Sequence, residues 1–308
     1  VLDHEIRQAH EIVNAGNKFL FFRNSLRLIS LKGSNLSNLD LNPINGIYIS
    51  SGRPNPLEFT IPTSSYQRPA VNSSLSNANL SGSNLKNVDM SFQDLGGVII
   101  DNQTYIEKKW MDVWKASNID IKGENWNGKD LSKAVIQNGR FSKINLMDSN
   151  FNLTTIINSN FNKSNLDKAN FSTTSMGGNS FRRAKMNNVN FDGAMIANCD
   201  FSGADLSGTS IGAALSFEED MAFSASIVDS SFANANLSNV TLGRVLHQKN
   251  INNNDIIRII HYTTNFTRCD FTDANLAGVE GSYSFDHNCI FKNTTMPDGT
   301  NSDDDPDP

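Results

Sequence analysis

Large apolar residues recur at every fifth position through the middle of this chain. From Ile121 to Ile211, nineteen consecutive positions at this spacing are occupied by Trp, Leu, Ile, Met or Phe. An α-helix would need apolar spacings of three and four, and a flat strand would need a spacing of two. The main element is therefore neither, and the period predicts a chain that turns after every five residues.

The residues around each large residue, which we call the centre of its unit, also repeat. The second position before the centre is mostly small, as in Ala169 before Phe171, and the position directly before the centre is often Asn or Asp, as in Asn170. Residues two apart in extended backbone point to the same side, so we expect both to face an interior. Asn and Asp commonly bond their own backbone at turns. Four units would close a square coil, and stacked coils would hydrogen-bond about 4.8 Å apart.

Several units fit one consensus in full. They are Ala78–Gly82, Ala169–Thr173, Ala204–Gly208 and Ala274–Gly278. The sequence resembles the pentapeptide-repeat family, whose consensus is A(D/N)LXX. The resemblance implies an all-β solenoid, a right-handed quadrilateral β-helix, that presents protein-binding surfaces.

A second period of ten residues concerns phenylalanine, of which the chain has 19. The predicted structural core contains Phe141, Phe151, Phe161, Phe171, Phe181, Phe191 and Phe201, with aliphatic centres between them. With four faces per coil, this period puts Phe on two opposite faces. We expect two ladders of stacked rings, separated by aliphatic columns.

The five-residue phase can be followed over most of the chain and is interrupted at four places. We expect a β-helix over residues 17–300, an N-terminal helical cap at 1–16 and an acidic disordered tail at 301–308. A solenoid needs its first coil covered, which is the role expected of the cap. The inserts are at 43–71, 103–118, 214–223 and 244–262.

The first insert is rich in proline and predicts an extended loop, whereas the other three read as short helices. Residues 103–118 have apolar residues at helical spacing, Ser216 and Glu219 have the spacing of a capping box, and Asp255 could cap a helix in the last insert. Each insert either packs on the solenoid wall or protrudes to bind a partner, and the sequence leaves both open. The candidate partner-binding residues are Lys108, Lys109, Trp110, Trp114, Phe217, Glu218 and Arg258.

The sequence predicts no catalytic centre. Cys199, Cys269 and Cys289 each occupy the small position two before a centre, where we expect them to be buried and unreactive. The five histidines share no metal-ligand spacing, and no phosphate-binding loop is evident. We therefore expect neither an enzyme nor a cofactor.

Charge and hydropathy bound the partners. The formal net charge is −6, and because five aspartates lie between Asp298 and Asp307, the rest of the chain is close to neutral. This balance argues against direct nucleic-acid binding. Apolar runs are too short for a membrane span and no signal peptide is visible, so a soluble protein is expected, either cytoplasmic or secreted without such a signal.

The favoured hypothesis is a non-catalytic protein-interaction scaffold, such as a bacterial effector or the recruitment domain of a larger protein. The partner would be another protein of unknown identity, and a homodimer is compatible with the sequence. The alternative, implied by the same resemblance, is a protein that protects DNA gyrase by mimicking DNA. A nearly neutral body does not supply the charge that such mimicry needs.

Overall fold

The computed structural model describes Gly33, Asn35 and residues 75–215, 222–249 and 256–303. The predicted cap at 1–16 and the proline-rich loop at 43–71 lie outside the described residues. The chain divides into two compact units, Val1–Met111 and Asp112–Pro308.

Short strands dominate the described residues. The helix is α1 (Lys108–Asn118). The strands are β1 (Val135–Gln137), β2 (Thr155–Ile157), β3 (Ser175–Gly177), β4 (Met195–Ala197), β5 (Ser210–Ile211), β6 (Ala213–Leu215), β7 (Ala222–Ser224), β8 (Ser226–Val228), β9 (Thr241–Leu242), β10 (Arg244–Lys249), β11 (Ile256–Tyr262), β12 (Thr264–Thr267), β13 (Glu280–Gly281) and β14 (Tyr283–Phe285).

The second unit is a coil of four faces, which we number in chain order. Face 1 includes the parallel bridge from Asn145 to Asn165, and face 4 includes the parallel bridge from Arg140 to Asn160. Face 2 contains the parallel sheet β5-β9-β13, and face 3 is the seven-stranded parallel sheet β1-β2-β3-β4-β8-β12-β14. Bridge partners in uninterrupted coils are 20 residues apart. Four five-residue units per coil are thereby confirmed.

The interior of this unit follows the phenylalanine period. The side chain is 0% exposed at Phe141, Phe151, Phe161, Phe171, Phe181, Phe191 and Phe201. Rings stack within face 4, with centroids 4.6 Å apart between Phe141 and Phe161, and within face 2, with 4.6 Å between Phe151 and Phe171. These two faces are opposite, as predicted.

The two ladders are in contact, which corrects one expectation. Phe141 of face 4 lies edge-on to Phe151 of face 2, with centroids 6.2 Å apart and planes at 89°. The same edge-to-face contact recurs between Phe161 and Phe171 at 6.3 Å. The aliphatic columns therefore do not separate the rings. Edge-to-face contact is favourable because the positive ring edge meets the negative ring face.

Turns between faces are built by the residues that the sequence assigned to them. The amide N–H of Asn152 donates to Oδ1 of Asn150 at 3.1 Å, and the same bond joins Ser172 to Asn170 at 3.0 Å. The second residue after each centre often has positive φ, as at Asn158 with φ 51°. Asn, Asp and Gly adopt this left-handed conformation most easily.

The first unit shows the same repeat in its described residues. Leu75, Leu80, Leu85, Met90 and Leu95 are all buried at five-residue spacing. A parallel bridge joins the residue before Leu80 to Ile99, 20 residues later. The phase of burial is therefore the same as in the second unit.

Two of the three predicted helical inserts are wrong, and the third is confirmed. Residues 108–118 form α1. In the inserts at 214–223 and 244–262, the described residues form antiparallel strand pairs, β6 with β7 and β10 with β11. Runs of β-branched residues favour strands, and residues 256–260 contain four isoleucines. That preference outweighs the helical spacing read from the sequence.

The C-terminal boundary also differs from the prediction of a tail at 301–308. Asn301 pairs antiparallel with Thr295, and the carboxylate of Asp303 accepts the N–H of Asn293 at 3.0 Å. Residues 301–303 thus belong to the last coil, and residues 304–308 lie outside the described residues.

Candidate functional site

Two strand pairs leave the second unit at the same corner of successive coils. The first, β6–β7, lies between the end of β5 on face 2 and the start of β8 on face 3. The second, β10–β11, lies between β9 on face 2 and β12 on face 3. We call the corner between faces 2 and 3 the hairpin corner. Stacking of the two inserts follows because β5 pairs with β9, and β8 pairs with β12.

The base of each hairpin is fixed to the coil by backbone hydrogen bonds. The N–H of Ala225 donates to the carbonyl of Gly212 at 3.1 Å. The N–H of Gly243 donates to the carbonyl of Ile211 at 3.1 Å and to Oγ1 of Thr264 at 2.8 Å. These bonds join one hairpin base to the coil before it, so the two inserts share a common support.

Gly243 is required at this base. Its φ is +67°, and a Cβ there would overlap the carbonyl oxygens of Tyr262 and Ser282. A side chain would therefore be excluded both by conformation and by space. The close backbone approach is what lets β10–β11 leave the coil without opening it.

The β10–β11 hairpin is the longer of the two. Its register runs from Arg244 opposite Tyr262 to Lys249 opposite Ile256, with an irregularity after Gln248. Among the described residues it forms a sheet of two strands only. Each strand therefore has an outer edge without a neighbouring strand in the part of the chain that the structure describes.

The sequence-predicted site residues are dispersed. Lys108 at the start of α1 is exposed, Trp110 is buried, and Trp114 is half-buried. The ammonium of Lys109 lies 5.1 Å from the centroid of the Trp110 ring. Arg258 is opposite Gln248 in the hairpin.

Phe217 and Glu218 lie outside the described residues. A partner-binding role for any of these residues stays a prediction. Sequence reasoning missed the shared corner, although a signal existed: both inserts follow a face 2 centre and precede a face 3 centre.

The cysteines occupy the inward positions that the sequence assigned to them. Burial raises the pKa of Cys199 to about 11 and that of Cys269 to about 12. Cys289 is half-buried, and burial raises the pKa of its thiol too. All three thiols are therefore poor nucleophiles near neutral pH.

Neither a metal cluster nor a membrane-spanning helix occurs in the described ranges. No three His, Cys, Asp or Glu side chains there are arranged to hold a metal ion. No helix in those ranges has the length and apolar character needed to cross a bilayer.

The class that this fold defines is the β-helical solenoid with four units per coil. The family model for pentapeptide repeats matches eight copies, over residues 71–101 and 180–211. The chain is a pentapeptide-repeat protein, and its fold is a right-handed quadrilateral β-helix. Such proteins are generally non-catalytic.

Several solved structures are similar to this chain at low identity. HetL of the cyanobacterium Nostoc sp. strain PCC 7120, involved in heterocyst differentiation regulation, is 14% identical over 95% of this chain and 97% of its own, with a TM-score of 0.24. The plasmid-mediated fluoroquinolone resistance protein QnrB1 is 19% identical over 58% of this chain and 81% of its own, with a TM-score of 0.26. A thylakoid-lumen protein of Arabidopsis thaliana is 19% identical over 39% and 68%, with a TM-score of 0.16. Among curated proteins no significant match to this chain was found.

Proposed function

We propose that this protein is a non-catalytic protein-interaction scaffold whose partner contacts the hairpin corner. The observation that carries the proposal is the position of the inserts: β6–β7 and β10–β11 interrupt successive coils at one corner and at no other corner of the described second unit. Insertions that cluster on one side of a repeat protein often form its binding surface.

The physical basis is a rigid support under two protruding ribbons. Stacked phenylalanine rings and backbone ladders fix the wall, so that little conformational freedom of the support is lost on binding. The outer edges of a two-stranded ribbon offer backbone N–H and C=O groups to an extended segment of a partner. A protein that adds a strand to β10 or β11 would satisfy both features.

At the finer level, we propose that the scaffold serves as a bacterial effector or as the recruitment domain of a larger protein. Support for this level comes from the repeat family and from the separate hairpins, and the partner would be another protein. Gyrase protection by DNA mimicry is not favoured, because three stacked cations line another corner of the second unit.

Site-specific crosslinking tests the proposal. A photoreactive residue is introduced at Gln248 in β10, and a matched control carries it at Lys168, which is exposed at the corner between faces 1 and 2. We expect a discrete protein adduct from position 248 that is absent from position 168 and is competed by unlabelled protein. Adducts of equal yield from both positions, or from position 168 alone, would refute the hairpin corner as the binding surface.

A further inference from the structure

A cationic cleft lies at the corner between faces 4 and 1, diagonally opposite the hairpin corner. Its volume is about 420 Å³. Lys143, Lys163, Arg183 and Lys185 line it, together with neutral residues such as Asn165. The proposed protein partner does not account for this feature, because the two corners share no face.

Three of these cations form one vertical column. Lys143, Lys163 and Arg183 are 20 residues apart, so they occupy the same turn position in three successive coils. Lys143 N–H bonds the coil of Lys163, and Lys163 N–H bonds the coil of Arg183. Side chains in such a column are neighbours across a parallel ladder. Like charges placed opposite each other destabilise a sheet.

The column is also unfavourable for the backbone. The φ angles are 62° at Lys143, 59° at Lys163 and 55° at Arg183. This left-handed region suits Gly, Asn and Asp far better than long side chains. The neighbouring corner between faces 3 and 4 has Asn158 and Gly178 at the equivalent positions. The cations thus occupy positions where neutral residues would be favoured on two separate grounds.

No carboxylate compensates the cleft. Lys143, Lys163, Arg183 and Lys185 are exposed, and none of them forms an ion pair in the described part of the chain. The Arg next to Arg183 in sequence is the one that pairs with an aspartate of the following coil, at 3.5 Å. Four positive charges are therefore directed to solvent from one concave surface.

We propose that this cleft binds a compact anion bearing several phosphate groups, either free in solution or as the headgroup of a lipid. Lysine ammonium and arginine guanidinium groups are the usual protein ligands of phosphate. The cleft volume is within the range of small-molecule sites. A long polyanion fits less well, because the column continues with Gly203, Asn234 and Asp273 and so loses its charge after three coils.

Binding of inositol hexakisphosphate is the primary test, measured by titration calorimetry and by the shift in melting temperature. We expect one site per chain and an affinity that falls as salt is raised. The triple variant Lys143→Asn, Lys163→Asn and Arg183→Asn should lose at least tenfold in affinity. Because Asn tolerates positive φ, the variant without ligand should melt at the same temperature as the wild type or higher.

A charge-matched control distinguishes a site from general attraction. The variant Lys133→Asn, Lys168→Asn and Lys292→Asn removes three exposed positive charges, none of which lines the cleft. We expect it to retain wild-type affinity to within about twofold. An equal loss in both triple variants would reduce the effect to net charge and overturn the proposal.

Vesicles distinguish the two sources of phosphate. Phosphatidylcholine vesicles are compared with and without phosphatidylinositol 4,5-bisphosphate, and with phosphatidylserine at equal surface charge. Binding that requires the bisphosphate supports a lipid headgroup, whereas binding of the free anion alone supports a soluble ligand. No binding to any probe, or equal binding to phosphatidylserine vesicles, would overturn the proposal.

Discussion

Replacement of Phe171 by alanine should be among the most damaging single changes in the second unit. The ring is 0% exposed and stacks on Phe151 at 4.6 Å and on Phe191 at 5.3 Å. It also meets Phe161 and Phe181 edge-on at 6.3 and 6.1 Å. Truncation leaves a cavity enclosed by four rings that are fixed in their own stacks.

The expected cost follows from this enclosure. Phe→Ala in a core typically costs about 3–5 kcal/mol, and each aromatic pair contributes roughly 0.5–1.5 kcal/mol beyond its buried area. With four pairs lost and little room for the walls to collapse, we expect the upper half of that range. Phe171→Asp should cost more still, because the interior offers a carboxylate no partner.

The measurement is the free energy of unfolding in urea for the variants and a matched surface change. Ser172→Asp is the control, since Ser172 is half-buried and its hydroxyl accepts the amide of Asn152 at 2.8 Å, which an aspartate could also do. We expect the control to stay within about 0.5 kcal/mol of the wild type. Equal tolerance at positions 171 and 172 would refute the assignment of burial to the five-residue phase.

Three further predictions concern a turn, the thiols and the response to acid. Gly178→Ala should cost about 1–2 kcal/mol, because φ is +65° and a Cβ would overlap an asparagine amide of the preceding coil, as urea unfolding would reveal. A thiol reagent at pH 8 should modify Cys289 first and leave Cys199 and Cys269 unmodified in the folded protein, since the last two are buried. Backbone N–H donation lowers the pKa of Asp286 to about 2, so its contribution to stability is present above about pH 4 and is lost as the pH falls towards 2. Melting temperatures at pH 6 and pH 2.5 should therefore differ less in Asp286→Asn than in the wild type.

The fold could be predicted from sequence because its determinants are local and periodic. Each unit carries its own inward pair and its own turn, and the same contacts recur every 20 residues. The bonds that Asn150 and Asn170 make to backbone N–H groups two residues on were expected from residue type alone. Confirmation of the opposite phenylalanine faces follows from the same arithmetic.

The inserts could not be predicted in this way because no repeat constrains them. Residues 256–262 satisfy a helical spacing and a strand preference at once, and pairing with residues 244–249 decides between them. That pairing is a non-local contact, which the sequence does not encode in a period. The aromatic contact across the interior was missed for a related reason, since ring size relative to the width of the coil is not a sequence pattern.

The candidate sites depend on stacking that becomes visible only when the coil is known. Lys143, Lys163 and Arg183 are separated by other residue types in the chain and become neighbours only at 20 residues per coil. The hairpin corner arises in the same way, from two inserts of different length that interrupt the same turn. A search for charge at a spacing of 20 would have found the first, and alignment of insert positions to the faces would have found the second.

Shortening the hairpin corner to plain repeats tests the central claim most directly. Removal of residues 214–224 and 245–263, with Ala213→Asn and Arg244→Asn, restores the spacing of five between the flanking centres. The shortened protein should keep the circular dichroism and cooperative melting of the wild type, because the hairpins lie outside the stacked core. Its affinity for the partner identified by crosslinking, measured by calorimetry, should fall at least a hundredfold. Unchanged affinity in a folded shortened protein would contradict the account.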